Sequence, residues 1–448
     1  MLYLHHIPIH IIQKRKTKYR FSITIGTKSI SGWFIIIVVK FSICLLNSII
    51  TPMSKAILLI FEGLDNPVIR SQVLMHARDM ADHGIIDFEI WCVAWSSKMH
   101  DLSASKIVES EEMSGCKIRL FKGTRPAMPL SVAKNATLIS ESLKDVKGSF
   151  DFIHARSDYA AAVCAELRKQ IDINFIWDCR GDDVAEFSMR VGSSKNIAYT
   201  LLKQIRMASI RKNTSMAAAQ CSKAIFVTDA LRKQSAPTMA PDKFFIIPSS
   251  APESMFFYDE KLRADNRASL GYSENDRVVV FSGGLHGYQC FEESIELFKN
   301  LYKSDKAFKL LILTPEVSRA KEVTMSLPAE SLKIFSLKTQ EMNAYLNAAD
   351  FGLMLRKHNP VNTSASPVKF AEFALTGLPV IMSDSVPDSY QMALKYGNLC
   401  RYESGKVELA DVSNRKTVST SYMNILSRKA VREKYKMLYQ KMRETSVN

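Results

Sequence analysis

Ser364 to Asp384, SASPVKFAEFALTGLPVIMSD, is the stretch on which the reading of the fold turns. Ser366 is a good N-cap, because its hydroxyl can accept from a free amide of a first helical turn. Pro367 then falls at the first helical position, where a missing N–H costs nothing. Phe370, Phe373 and Ala374 lay one apolar stripe along the helix. Gly377 suits the left-handed residue that closes a helix, and Pro379 follows just beyond. Pro379 to Met382 reads as a short buried strand. A helix thus starts abruptly after a loop, carries Lys369 and Glu372, and feeds a strand.

That geometry implies chemistry. A helix N-terminus presents unpaired amides and partial positive charge, which suits a phosphate. Lys369 adds a full charge in the first turn. Glu372 lies three residues further, on a neighbouring face. An ionised carboxylate only accepts, so it can hold the paired hydroxyls of a ribose. A phosphate site beside a ribose site describes a nucleotide. The same spacing also fits a plain i,i+3 ion pair on a helix surface with no ligand.

SPVKFAEFALTGLPVI resembles the donor-site helix of GT-B glycosyltransferases of the family-4 kind, which use nucleotide sugars and retain the anomeric configuration. The resemblance implies that Glu372 holds the donor ribose. The family usually has a second Glu eight residues earlier, against the sugar. Ser364 stands there, so that role is not carried over, and the chain is nearer to subfamilies with a Ser-Pro-x-Lys version of the motif.

From Met53 onward, apolar runs alternate with helical patterns. Strands are expected at 56–61, 87–93, 117–121, 150–154, 174–177, 224–228 and 244–247. Helices are expected near 68–83, 130–144 and 160–169, with long, partly basic ones over 187–219. Alternation of this kind predicts a parallel sheet with helices on both faces. Pro248 to Glu253 is a Pro/Ser-rich break, after which the alternation restarts, with strands at 278–281, 309–313, 332–335, 351–355 and 380–382 and helices at 291–302 and 340–348. The expected class is α/β, two doubly wound Rossmann-like domains facing across a cleft, which is the GT-B plan the resemblance implies. The expected domains are an acceptor-side one at 53–248 and a nucleotide-sugar-binding one at 249–425. A basic amphipathic helix at 426–448 follows, of the kind that often crosses back to the first domain in this family.

Ligands of open α/β sheets bind beyond the carboxyl ends of strands, which directs attention to the loops there. Gly283 and Gly284 follow one strand and would let backbone approach a diphosphate, although a tight turn without ligand explains glycines equally. The Arg and Lys that the family places after such a Gly are missing. Leu285, His286, Gly287 and Tyr288 occupy that region. Arg356, at the end of the strand 351–355, is the replacement, since a guanidinium can grip a phosphate with two hydrogen bonds. On the acceptor side, His154 ends a strand at the position that lies near the reacting sugar in the family. Arg156 and Asp158 share its loop. Arg180, Asp182 and Asp183 form a dense polar loop after another strand, and Glu62 and Gly63 follow the first. Adjacent Asp182 and Asp183 invite a metal, but two neighbouring carboxylates do not make a site and GT-B enzymes usually work without one, so none is expected.

Composition sets the frame. The chain has 448 residues, 47% hydrophobic and 23% charged, as in ordinary globular proteins of two or three domains. Its net charge is +15, and the first 52 residues hold seven Lys/Arg and no acid, which leaves +8 for the rest. That balance suggests anionic ligands or a membrane surface. The signatures of nucleic-acid binders are missing, so no nucleic acid is expected. Eight scattered cysteines form no CxxC pair or Cys/His cluster and read as buried thiols in a reducing compartment. The apolar run Trp33 to Ile50, broken by Lys40 and Asn47, is a marginal membrane anchor that would export all that follows. Translation from Met53 is the simpler reading. The expected setting is the cytoplasm, including the inner face of the membrane.

The expectation is therefore transfer of a sugar, with retention, from a nucleotide diphosphate sugar to a hydroxyl of a lipid-linked or growing surface glycan. The nucleotide sugar is the co-substrate, with no other cofactor and no metal, and peripheral membrane contact is a further expected association. Glu372 and Ser366 with Gly283 and Gly284 would bind the donor. Arg356, Lys369 and the helix start would take the charge of the leaving diphosphate, opposite His154 and Arg180. Two rivals fit the same plan: a nucleotide-sugar epimerase, and a non-catalytic sugar-nucleotide-binding protein.

Overall fold

Alternate residues of Ser54–Ile60 (β1) point to opposite faces, as the strand period demands, and both faces are covered. Ile57 and Leu59 pack on one side with Ile139, Ala160 and Ala217. Ala56, Leu58 and Ile60 pack on the other with Val73, Ala77 and Met80. Burial on both faces is the mark of a parallel sheet between helical layers. The computed structural model describes residues 54–447 apart from 127, 147–149, 193–195 and 286. The expectations for residues 1–52 and for His286 lie outside the described residues.

β1 is joined by Ile86–Ala94 (β2), Ile118–Lys122 (β3), Phe152–Arg156 (β4), Phe175–Cys179 (β5), Lys223–Phe226 (β6) and Phe244–Ile246 (β7). Their order is β3-β2-β1-β4-β5-β6-β7, and neighbouring strands are parallel throughout. A second sheet repeats the scheme with Arg277–Ser282 (β8), Phe308–Leu313 (β9), Leu332–Phe335 (β10), Phe351–Leu353 (β11), Val380–Met382 (β12), Leu399–Glu403 (β13) and Lys406–Glu408 (β14). Its order is β10-β9-β8-β11-β12-β13-β14, parallel except for the closing β13–β14 hairpin. The expected α/β class, two doubly wound domains, is the observed one. The closing hairpin is an edge feature, in which Arg401 and Glu403 face outward beside buried Cys400, so no continuous apolar run announces it.

Some boundaries differ. The helix expected at 68–83 is broken by a π-helical turn, Arg70–Leu74. Helices Ser97–Ser105, Ile107–Ser114, Glu260–Ser269 and Pro387–Lys395 were not anticipated, because short polar helices carry little periodic signal. The seven described cysteines are free and buried. Among the described residues no helix is long and apolar enough to cross a membrane.

The chain passes between the lobes twice, side by side. Ala251 N–H donates to Leu426 O at 3.1 Å, and Arg428 N–H donates to Ala251 O at 3.0 Å. The helix Arg428–Val447 then lies on the first sheet, burying Val431, Tyr435, Leu438, Tyr439 and Met442 among β1 and β2 side chains. Spacings of four, three, one and three residues give that helix one buried face. The lobes also touch directly. Asp388 of the second accepts from Asp229 N at 2.7 Å and Ala230 N at 3.2 Å, capping a first-lobe helix, and Thr228 Oγ1 donates to Ser364 O at 3.0 Å.

Candidate active site

Strand order reverses between β1 and β4 in the first sheet and between β8 and β11 in the second. Such switch points open a crevice at the carboxyl ends of the strands. Glu62 and Gly63 leave β1 beside Arg156, Ser157 and Asp158 leaving β4. Glu62 Oε1 lies 3.6 Å from Arg156 Nε, and Arg156 Nη2 donates to Gln72 Oε1 at 2.8 Å. Burial pushes the Glu62 carboxyl up, with Arg156 pulling it back. Arg156 Nη1 is buried without a hydrogen-bond partner among the described residues. Between them Ser157 is held at φ 84°, where L-residues are strained, a feature the sequence did not signal. A Cβ on Gly63 would meet the Asp65 side chain at 2.3 Å, so the turn there is closely filled.

In the second sheet Phe281 pairs with Leu353, so Gly283–Gly284 and Leu355–Arg356 leave the sheet side by side. Gly283 has φ 134°, and a Cβ there would come within 2.9 Å of Gln289 Oε1. Arg356 Nη1 donates to its neighbour's carbonyl, Leu355 O, at 3.1 Å, and the guanidinium sits 5.7 Å from the Tyr288 ring centroid. Ser383 and Ser385 hydroxyls donate to Arg356 O at 3.2 and 2.9 Å and fix the loop. No carboxylate pairs with Arg356 among the described residues, and burial pushes its guanidinium below the ordinary range.

A short helix, Pro360–Ser364, follows this loop, and the start of the next one, Val368–Leu375, corrects the expectation. Pro367 is the N-cap residue, at φ −68° and ψ 126°, and no side chain caps the turn. Ser366 Oγ instead accepts from Ser249 N at 2.9 Å, because the extended segment before the helix runs against the inter-lobe crossover. Lys369 Nζ lies 2.8 Å from Glu372 Oε2, so the i,i+3 pair exists. It is not a surface pair, since Glu372 is only 8% exposed. Ser364 is buried and donates to the Pro360 and Val361 carbonyls.

Glu372 opens into a cavity of about 330 Å³ between the lobes. Gln72, His76 and Arg180 line it from the first lobe, and Ser249 and Thr339 lie on the Glu372 side. Arg428, Arg432 and Tyr435 of the last helix form a further wall. The structure thus brings Glu372 and Arg180 to one cavity, while Gly283, Gly284, Arg356 and Lys369 do not line it. Gln72, His76 and the lining role of the last helix were missed, although that helix and its return to the first domain were expected. The one signal was Arg428, Arg432, Tyr435 and Tyr439 recurring at helical spacing near the chain end.

Two acceptor-side expectations, His154 and Asp158, need correction. His154 is 1% exposed, beneath Tyr439 rather than at an open cleft. Its Nδ1 is 3.1 Å from Tyr439 Oη and its Nε2 is 3.2 Å from Asp178 Oδ2. Tyr439 Oη is also 2.9 Å from His76 Nε2. A hydroxyl has one proton, so Tyr439 donates to one imidazole and accepts from the other. Asp158 is 4% exposed and accepts from Trp177 Nε1 at 3.0 Å and from Thr214, so it braces two buried elements instead of lining the cleft. Asp182 caps the helix Asp183–Val191 through Ala185 N at 3.0 Å, and Gln234 bonds its other oxygen. Asp183 is crowded by burial, Asp158 and Glu186, which push its carboxyl well above the usual range. Arg180 joins site and core, with Nε 2.9 Å from Asp178 and Nη2 donating to Tyr435 Oη at 2.8 Å. Burial alone would raise the Asp178 carboxyl, but Arg180, His154 and Arg156 hold it well below the usual range. Among the described residues no group of three or more His, Cys, Asp or Glu is placed to hold a metal ion.

The fold so described is the GT-B architecture, and comparison with solved structures agrees. The chain is similar to a glycosyltransferase from Rickettsia africae ESF-5, with a TM-score of 0.60 and 13% identity over 87% of this chain and 98% of that one. It is similar to Anabaena HepE in complex with UDP, with a TM-score of 0.59 and 12% identity over 87% of this chain and all of that one. A third likeness is to sucrose-phosphate synthase from Thermosynechococcus elongatus, with a TM-score of 0.58 and 13% identity over 88% of this chain. At such identities the likeness is one of fold. No known family model matches the chain, and no curated protein matches its sequence.

Proposed function

We propose that the chain is a retaining glycosyltransferase that moves a sugar from a nucleotide diphosphate sugar to a hydroxyl of a lipid-linked or growing surface glycan, without a metal. The observation that carries the reading is Glu372: a nearly buried carboxylate, steadied by Lys369 and facing a cavity between two doubly wound lobes. The solved HepE complexes with UDP and with UDP-glucose show that a similar fold holds such a donor. Glu372 would accept from the ribose hydroxyls and set the register of the donor. Gly283 and Gly284, which lie outside that cavity, would offer backbone to the diphosphate, and Arg356, with no carboxylate partner among the described residues, would meet its charge as the glycosidic bond lengthens. Lys369 has three donors and can keep Glu372 while reaching a phosphate. The anomeric carbon would pass through an oxocarbenium-like state. The leaving phosphate would take the acceptor proton as the new glycosidic bond forms. Contacts such as Asp388 on the first-lobe helix would hold the lobes together and limit water.

Ser364, at the place of the family's first Glu, favours a second reading, a sugar-nucleotide-binding protein without catalysis. Thermal shifts with a panel of UDP-, GDP- and ADP-sugars test both. One class of donor should raise the melting temperature selectively, and Glu372→Ala and Arg356→Ala should abolish that rise. An unchanged rise in both variants would remove the proposed site. Release of nucleotide diphosphate on adding acceptor glycans then separates transfer from binding alone.

A further inference from the structure

The first lobe carries an apolar surface that stays exposed among the described residues. Leu130, Met189, Ile197, Leu201, Leu202 and Ile205 are between 53% and 84% exposed. Ile197, Leu201 and Ile205 fall four residues apart on the helix Ile197–Gln220, so they form one outward stripe. Leu202 lies beside the stripe on the same helix, and Leu130 and Met189 sit on segments tied to it. Tyr199 Oη donates to Val191 O at 2.7 Å, Lys203 Nζ to Gly192 O at 2.6 Å, and Arg206 Nη1 to Pro126 O at 2.8 Å. Isolated exposed leucines need no explanation, but a contiguous patch does.

The charge around the patch is mainly positive, although the helix that carries Met189 also holds Asp183 and Glu186 in its first turn. Phe187 to Thr228 contains seven Lys/Arg and no Asp or Glu, and Lys117 to Ser140 contains five and none. That pattern discriminates between occupants. A second copy meeting this face symmetrically would set cations against cations. Nucleic acid would match the charge but not a stripe of Leu and Ile. An anionic bilayer matches both, with apolar side chains entering below headgroups that the cations attract.

We propose that this rim of the first lobe docks on an anionic lipid bilayer. Its place in the topology gives the contact a purpose. The 123–130 segment follows the carboxyl end of β3, and the helix Asp183–Val191 follows that of β5. The rim therefore lies on the same side of the sheet as the β1–β4 crevice with Glu62 and Arg156. A lipid-borne hydroxyl acceptor would enter there from the membrane plane. That the lipid carries the acceptor rests on the transferase reading above; that the surface binds a bilayer does not.

Co-sedimentation of the full chain with phosphatidylcholine vesicles, with and without about one-third phosphatidylglycerol, tests this. Binding should require the anionic lipid and weaken as salt rises from about 0.1 M to about 0.5 M. The triple variant Leu201→Ser, Leu202→Ser, Ile205→Ser should lose about tenfold or more in partitioning. Its melting temperature and its nucleotide-sugar shift should stay at the parent values, because these side chains face solvent. Leu130→Ser, on the neighbouring segment, should weaken binding as well. Three results would overturn the proposal: no binding to anionic vesicles, binding that the triple variant leaves intact, or self-association that the triple variant abolishes. Absence of any nucleotide-sugar shift in the parent, with its vesicle binding intact, would sink the transferase reading alone.

Discussion

Arg432 grips Asp79 with two hydrogen bonds, Nε to Oδ2 and Nη2 to Oδ1, both at 3.0 Å. The partners are 353 residues apart, and their side chains are only 12% and 14% exposed. Arg432→Ala would leave Asp79 charged and largely desolvated, at a cost of about 2–4 kcal/mol. Urea unfolding should register this as a lower midpoint, and Asp79→Ala added to Arg432→Ala should recover part of it. A single-variant loss below about 0.5 kcal/mol would mean that the pair behaves as an exposed one.

Glu372→Gln should separate charge from shape. The amide fills the same space but holds ribose hydroxyls and Lys369 less strongly. We expect about a 10- to 100-fold weaker nucleotide-sugar affinity by calorimetry, the worth of a charged hydrogen bond. The unfolding midpoint should shift little by comparison. Undiminished affinity would show that the ribose lies elsewhere.

His76 should give the stability a pH dependence. Burial first, then His154 and Arg180, hold its imidazole well below the usual 6.5, although Asp178 pulls the other way. The folded chain keeps it neutral while the unfolded chain takes up a proton near pH 6.5. The unfolded state then binds more protons, so stability drops as pH falls below that value. His76→Gln removes this contribution. Unfolding free energies of parent and variant should therefore converge between pH 7.5 and pH 5.5, and parallel curves would count against the assignment.

Gly377→Ala should be strongly destabilising. The residue sits at φ 68°, and an added Cβ would lie 2.1 Å from Arg415 O. The left-handed conformation alone costs about 1–2 kcal/mol. The clash adds to it, because Arg415 is pinned by Asn347 O at 3.0 Å and Ala349 O at 2.7 Å. A melting temperature within a degree or two of the parent would show that this helix end can move.

What the sequence disclosed followed from local physics. Apolar runs such as Ala56–Phe61 and Val278–Phe281 located most strands, and Gly377 marked the end of the helix that carries Glu372. The helix start was misjudged because Ser366 had two possible uses. It could cap its own helix or accept from Ser249, 117 residues earlier, and only the assembled fold decides. His154 and Asp158 looked like cleft residues because each stands at the end of a strand. They are covered by Tyr439 and Thr214, whose arrival depends on how two distant helices pack. Local pattern carries no information about such lids.

The last helix has a bearing on biogenesis. Tyr435, Leu438, Tyr439 and Met442 complete the interior of the lobe whose β1 begins at Ser54. Ribosomes deliver β1 well before these four side chains, with the whole second lobe made in between, so the first lobe stays open on one flank until its closing segment emerges.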